Sequence, residues 1–81
     1  MRATFAHRFV RQYAALPEDR KARFDKQLAF ILTNLRHPSL RAKKYDDARG
    51  IWQARVDDAN RFYFTIEGGT YLVLSIIPHP K

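Results

Sequence analysis

The chain has 81 residues, of which 46% are hydrophobic and 14% aromatic, enough for one packed core in a single domain over residues 1–81 and too much for a disordered chain. It has no cysteine, which excludes a disulfide framework and a thiolate metal site and fits the reducing cytoplasm, while MRATFAHRFV lacks a signal-peptide core and no stretch approaches the roughly 20 apolar residues of a membrane span. A formal net charge of +7 favours a polyanionic partner, nucleic acid or ribosome ahead of an anionic membrane surface or acidic protein segment, because neutralised phosphates release their counterions.

Arg2 to Ala6 reads as a short edge strand, after which Phe9, Tyr13 and Leu16 recur at helical spacing. Pro17 breaks that helix and suits the first turn of a second one. Glu18 and Asp19 suit its positive end, and Phe24, Leu28, Ile31 and Leu35 form its core stripe at i, i+4, i+7 and i+11. The second helix must end before Pro38, and HPSLRAKKYDDARG reads as a basic loop closed by Gly50. Basic residues crowd the chain up to Tyr45, so the two helices and this loop are expected to form a basic rim.

The remainder alternates as three strands. Trp52, Ala54 and Val56, then Phe62, Phe64 and Ile66, then Leu72, Leu74 and Ile76 form one face. These sets meet only if Val56 lies opposite Phe62 and Ile66 opposite Leu72, or at an equivalent even offset. That register predicts three-residue loops at Asp58-Ala59-Asn60 and Gly68-Gly69-Thr70. The fold class is α+β: a short N-terminal strand and a helical hairpin packed on a small antiparallel β-meander.

The opposite face of this meander gathers Gln53, Arg55, Arg61, Tyr63, Thr65, Tyr71 and Ser75, with His79 just beyond the last strand. Two arginines and two tyrosines on one surface can hold phosphates and stack bases, as single-stranded nucleic-acid sites do. The same pattern also fits a solvated face in which Asp57 lies across from Arg61 and pairs with it. Arg41, Lys43 and Lys44 are open in the same way, either a solvated charge run or a grip on RNA. Trp52 reads as core. Neither Asp46-Asp47 nor Asp57-Asp58 has a histidine or glutamate at ligand spacing, so no metal site is predicted, and no phosphate-binding glycine loop or other cofactor motif appears.

In chain order, LPEDRKARF, RHPSLRAKK, GIWQARV, RFYFTIEGG and the terminal IIPHP resemble the RelE/ParE superfamily of bacterial toxin–antitoxin toxins over nearly the whole chain. The Gly-Ile-Trp strand start and the late histidine look like the YoeB-type and RelE-type messenger RNA interferases. The resemblance implies a β-α-α-β-β-β fold and a toxin that cuts mRNA on the ribosome without a metal, the 2′-hydroxyl attacking the adjacent phosphate. It also implies a cognate antitoxin as partner. Arg61 matches the strand arginine that the family sets near the scissile phosphate, Arg55 matches a basic position on the preceding strand, and Gln53 stands where a second lysine would be. His79 matches the late histidine.

On this reading Arg61 and Arg55 stabilise phosphate charge. His79 moves protons, as a side chain of the type that titrates near neutral pH, with Tyr63 or Tyr71 assisting. His7 and His37, at a helix start and a helix exit, suit surface or capping roles. Pro80 replaces the tyrosine that often follows the family histidine, Lys81 ends the sequence without the terminal element of many relatives, and RHPSLRAKK lacks the loop glutamate of YoeB-type enzymes. These departures keep two alternatives open: a ParE-like toxin that inhibits DNA gyrase without cutting RNA, and a catalytically degenerate relative that binds antitoxin or RNA.

Overall fold

A computed structural model describes residues 1–79; Pro80 and Lys81, where two of the departures fall, lie outside the described residues. The elements are β1 (Arg2–Phe5), α1 (His7–Ala14), α2 (Glu18–Thr33), a 3-10 turn (Pro38–Leu40), β2 (Lys43–Asp46), β3 (Ile51–Asp57), β4 (Asn60–Glu67) and β5 (Thr70–Pro78). The class is the α+β one anticipated, with one strand more than the family pattern.

Both helices dock through aromatic contacts. Phe9 of α1 packs at 4.9 Å on Phe24 of α2, and Phe24 meets Phe62 of β4 edge-on at 5.2 Å and 82°, which pins the helical pair to the sheet. Pro17 caps α2, with Glu18 and Asp19 in its first turn. The deepest stripe of α2 is Phe24, Gln27 and Ile31, while Leu28 and Leu35 pack beside it. The helix stops at Thr33, where Asn34 turns extended and its Oδ1 accepts the Arg36 N–H at 3.0 Å.

Gln27 is the polar member of this stripe, only 4% exposed, and all of its hydrogen-bonding groups are engaged. Its Nε2 donates to the Ser39 carbonyl at 3.0 Å and the Arg55 carbonyl at 2.8 Å, while its Oε1 accepts from Ser39 Oγ at 3.1 Å. One amide thus ties α2, the 3-10 turn and β3 together in the dry interior, where each of these groups would otherwise be costly to leave unpaired.

The sheet runs β1-β5-β4-β3-β2. β1 is an edge strand as the pattern predicts, and it pairs parallel to β5, so the antiparallel meander extends into a mixed sheet. β2 lies within the segment read as a loop. It is short, sits at the other edge and leaves three of its four residues exposed, so it carries no apolar alternation that would mark it.

Register is the main departure from the sequence reading. Asp57 pairs with Asn60 and Glu67 with Thr70, so both hairpins close with two-residue turns, not three-residue loops. Gly68 and Gly69 both have positive φ, at 52° and 79°, the backbone that a tight hairpin of this kind needs. At the other turn Asp57 Oδ1 accepts the Ala59 N–H at 2.9 Å and a bond from Asn60 Nδ2 at 3.1 Å, shaping the turn without glycine. A β-bulge in each hairpin then restores the facing that a two-residue turn inverts. In β3 and β4 the apolar sets still meet, with Trp52 opposite Phe64 and Ala54 opposite Phe62, one even step from the predicted alignment.

In β5 the bulge falls mid-strand, where Leu74 is the extra residue between Val73, opposite Phe64, and Ser75, opposite Tyr63. Only the part beyond the bulge keeps the predicted facing. Ile76 is buried as expected, but Tyr71 and Val73, not Leu72 and Leu74, enter the core.

Candidate nucleic-acid interface

The β3–β4 turn is where the charged candidates converge. Arg55 and Arg61 are direct cross-strand partners, which sets two like charges side by side. Arg61 relieves this through neutral groups, its Nη1 donating to the carbonyls of Asp57 at 2.5 Å and Asn60 at 2.9 Å. Among the described residues it has no carboxylate partner, so the Asp57 ion pair that would make it ordinary surface is not formed. Arg55 is held by the exposed carboxylate of Asp58. That pairing, by hydrogen bond and by charge, keeps the Asp58 carboxyl below the usual carboxylate range, with a smaller contribution from Arg41 nearby.

Asp57 turns instead toward α2. It accepts from Arg23 at 3.1 Å and lies 3.8 Å from Arg20. Its partial burial raises the carboxyl pKa, but hydrogen bonds from Asn60, the Ala59 N–H and Arg23 outweigh this, and the net shift is downward. Sequence reading passed over Arg20 and Arg23. Helical spacing sets them beside the core stripe of α2, but only the packing of α2 on the sheet brings the end of β3 beneath them. His79 joins the cluster through its backbone, whose N–H donates to the Ala59 carbonyl at 2.8 Å and holds the exposed histidine next to this turn.

Behind the turn, on the same outer face, Gln53 and Tyr63 sit opposite each other. Both are buried, and Gln53 Nε2 donates to Tyr63 Oη at 2.9 Å, so they form a satisfied pair more than an open binding surface. The aromatic that does face solvent there is Tyr45 on β2, 61% exposed and packed edge-on against Tyr63 at 4.8 Å. Reading its segment as loop hid it. Tyr71 is a correction: the bulge turns it to the helix side, where it is 3% exposed and edge-on to Phe64 at 5.5 Å. Burial raises its hydroxyl pKa and keeps it out of reach of RNA on the outer face.

The basic residues of the former loop separate. Lys43 is opposite Gln53 on the outer face, whereas Lys44 is opposite Trp52 on the helix side, its ammonium 5.3 Å from the indole centroid and 3.9 Å from Asp47. Arg41 is exposed at the end of the 3-10 turn with φ 46°, a left-handed conformation uncommon for a non-glycine residue. His37 has the capping role anticipated, its Nδ1 accepting the Ser39 N–H at 3.2 Å. Among the described residues no group of histidine and carboxylate side chains is arranged to hold a metal ion, and no helix is long and apolar enough to cross a membrane.

Compared with known proteins, the chain matches no family model and no curated protein by sequence. Its fold matches solved structures closely. A YoeB/ParE toxin from Agrobacterium tumefaciens superposes with a TM-score of 0.81 at 14% identity, covering 99% of this chain and 100% of that one. The archaeal RelE of a RelE–RelB complex from Pyrococcus horikoshii OT3 gives 0.79 at 16% identity, over 95% and 92%. A YoeB–YefM complex from Staphylococcus aureus gives 0.78 at 15% identity, over 99% and 98%. At these identities the likeness establishes the fold, which is that of the RelE/YoeB toxins, strand and helical pair included.

Proposed function

We propose that the chain is the toxin of a type II toxin–antitoxin system, an endoribonuclease that cuts mRNA on the ribosome in the cytoplasm. The fold supports the class, and the β3–β4 turn supports the chemistry. The observation that carries the reading is the state of Arg61. Its guanidinium is oriented by two backbone carbonyls and, among the described residues, neutralised by no carboxylate, so its full charge is aimed and available.

The reaction fits what these residues can do. The 2′-hydroxyl loses a proton and attacks the adjacent phosphorus, a 2′,3′-cyclic phosphate forms, and the 5′-oxygen leaves with a proton. Arg61 stabilises the crowded phosphate, and Arg55 adds a second guanidinium once it releases Asp58. His79, exposed beside the same turn, supplies the proton transfers. Arg41 and Lys43 extend the positive surface toward the ribosomal RNA. A cognate antitoxin, as in the relatives solved with RelB or YefM, supplies the acidic counterpart to a domain of net charge +7.

Single-turnover cleavage on programmed ribosomes tests this. Arg61→Ala is expected to keep a near-normal melting temperature and slow cleavage about 10²–10³-fold, the order for losing one such donor. Wild-type rates from Arg61→Ala and from His79→Ala would refute the assignment. Two observations favour a second reading, a ParE-like gyrase inhibitor: Asp58 neutralises Arg55 and Tyr71 is buried, which thins the catalytic set. Mapping mRNA 5′ ends after induction separates the two, since only the nuclease leaves cuts inside ribosome-covered codons.

A further inference from the structure

A cavity of about 240 Å³ opens where α2 ends, bounded by the 3-10 turn and β3, and it lies apart from the outer face of the sheet. It has room for one nucleobase and lies below the range of pockets that enclose drug-sized ligands. Trp52 lines it, half-buried. Arg36 and Arg41 stand on its rim, both exposed and, among the described residues, without a carboxylate partner.

His37 completes the wall, and its ring is fixed twice. It lies flat on Phe30 at 3.8 Å and 8°, and its Nδ1 accepts from the Ser39 backbone. A backbone N–H can only donate, so Nδ1 is the acceptor and the neutral ring carries its proton on Nε2, as a donor. Arg41 is held in its left-handed conformation by a turn that His37 and Gln27 fasten from either side, so the chain sustains backbone strain to present this guanidinium. The indole lies parallel to Phe64, centroids 6.3 Å apart and planes at 15°, and the exposed Lys44 ammonium rests over its ring at 5.3 Å, so a stacking base takes the place of this cation.

We propose that this cavity is a nucleotide subsite for single-stranded RNA, in which the base stacks on Trp52 and the attached phosphate is held by Arg36 and Arg41. It rests on the RNA reading above and extends it. Arg41 is the rim residue whose charge also reaches Asp58 at the β3–β4 turn. Stacking of this kind tolerates any base, and the donor on His37 Nε2 adds preference for a base with an acceptor at its edge. An acidic peptide would use the guanidiniums but leave the flat aromatic wall without a role.

Trp52 is the sole tryptophan, so intrinsic fluorescence reports this cavity directly. The purified protein is titrated with AMP, UMP, a short RNA oligonucleotide, ribose 5-phosphate and an oligoglutamate peptide. Saturable quenching by the nucleotides and the RNA, with ribose 5-phosphate and peptide silent, is the expected result. Arg36→Ala and Arg41→Gly should each weaken it about two- to tenfold, the order of one exposed charge-assisted contact. Arg41→Gly also removes the backbone strain, so its melting temperature should hold or rise while affinity falls, which separates binding from folding. Absence of saturable nucleotide quenching overturns the proposal, as does quenching that survives the double substitution or is matched by the peptide. Quenching without cleavage on ribosomes sinks the nuclease reading and leaves the subsite; cleavage without quenching sinks the subsite alone.

Discussion

Replacing Gln27 by leucine is the severest single-residue test of how the site is held together. Leucine keeps the volume within the α2 stripe but removes both donors to the Ser39 and Arg55 carbonyls and the acceptor for Ser39 Oγ. With the side chain 4% exposed, water has little route to replace them. Ser39 Oγ keeps His37 Nδ1 at 2.9 Å as a partner, so the two carbonyls are the groups abandoned, at about 1–3 kcal/mol each and about 3–5 kcal/mol together. Burying an apolar side chain in place of the amide returns about 1 kcal/mol, leaving a net loss of about 2–4 kcal/mol. A domain of this length has a total stability of about 4–12 kcal/mol, so the loss is a large share. Urea unfolding reads it directly: with a slope of about 1 kcal/mol per molar, the midpoint should fall by about 2 M or more. Gln27→Glu should do no better, because a carboxylate cannot donate to either carbonyl and must be buried besides. A midpoint within about 0.5 M of wild type for the leucine variant would refute the claim that this amide is a dry, indispensable junction.

Asp58→Asn should release Arg55 and raise RNA affinity at low salt a fewfold without changing the melting temperature, since Asp58 is exposed; equal affinity by filter binding counts against competition between Asp58 and phosphate for Arg55. Asp57 has a depressed carboxyl pKa in the folded state, so its contribution is present above the ordinary aspartate range near pH 4 and is lost as pH falls through the folded value. Stability of Asp57→Asn should therefore fall less steeply with acidification than wild type; parallel acid limbs would discount the shift. Gly69→Ala meets no atom within 4 Å, so its cost comes from φ 79° alone, about 1 kcal/mol, and should lower the melting temperature by about 4–8 °C. An unchanged melting temperature would mean that the turn relaxes freely.

What the sequence disclosed depended on periodicity. The two helices, the three long strands and the placing of Arg55 and Arg61 on one face follow from alternation and helical spacing, and the structure repeats them; the partner expected for Arg61 was Asp57, where the structure has Arg55, and α2 ends at Thr33, before the Leu35 of the expected stripe. β2 escaped because an edge strand with three exposed residues has no buried face to create a pattern. Tyr71 was misassigned for a different reason. A bulge at Leu74 changes facing without altering composition, so strict alternation sets Tyr71 and Ile76, an odd number of residues apart, on opposite faces, whereas both enter the core. Arg20 and Arg23 were visible as charges, but their relevance depends on which strand end lies beneath α2, and that is a tertiary fact. The cavity at Trp52 was hidden similarly, since half-burial is not distinguishable from full burial in an apolar set.

The paired bulges and short turns make an unusual statement about insertions and deletions. Each two-residue turn inverts which face its following strand presents, and each bulge inverts it back, so the two errors cancel within one hairpin. Adding one residue between Asp58 and Ala59 could be absorbed by annealing the bulge around Val56, with the side chains before and beyond it facing as they did. Deleting Val56 would remove the extra residue of the bulge and leave Arg55 opposite Arg61 and Asp57 opposite Asn60, so every facing survives and the loss is that of one buried valine from the core. A one-residue change of length should therefore keep the facing of both strands at the Asp58–Ala59 turn and at the bulge alike, two places within three residues of each other.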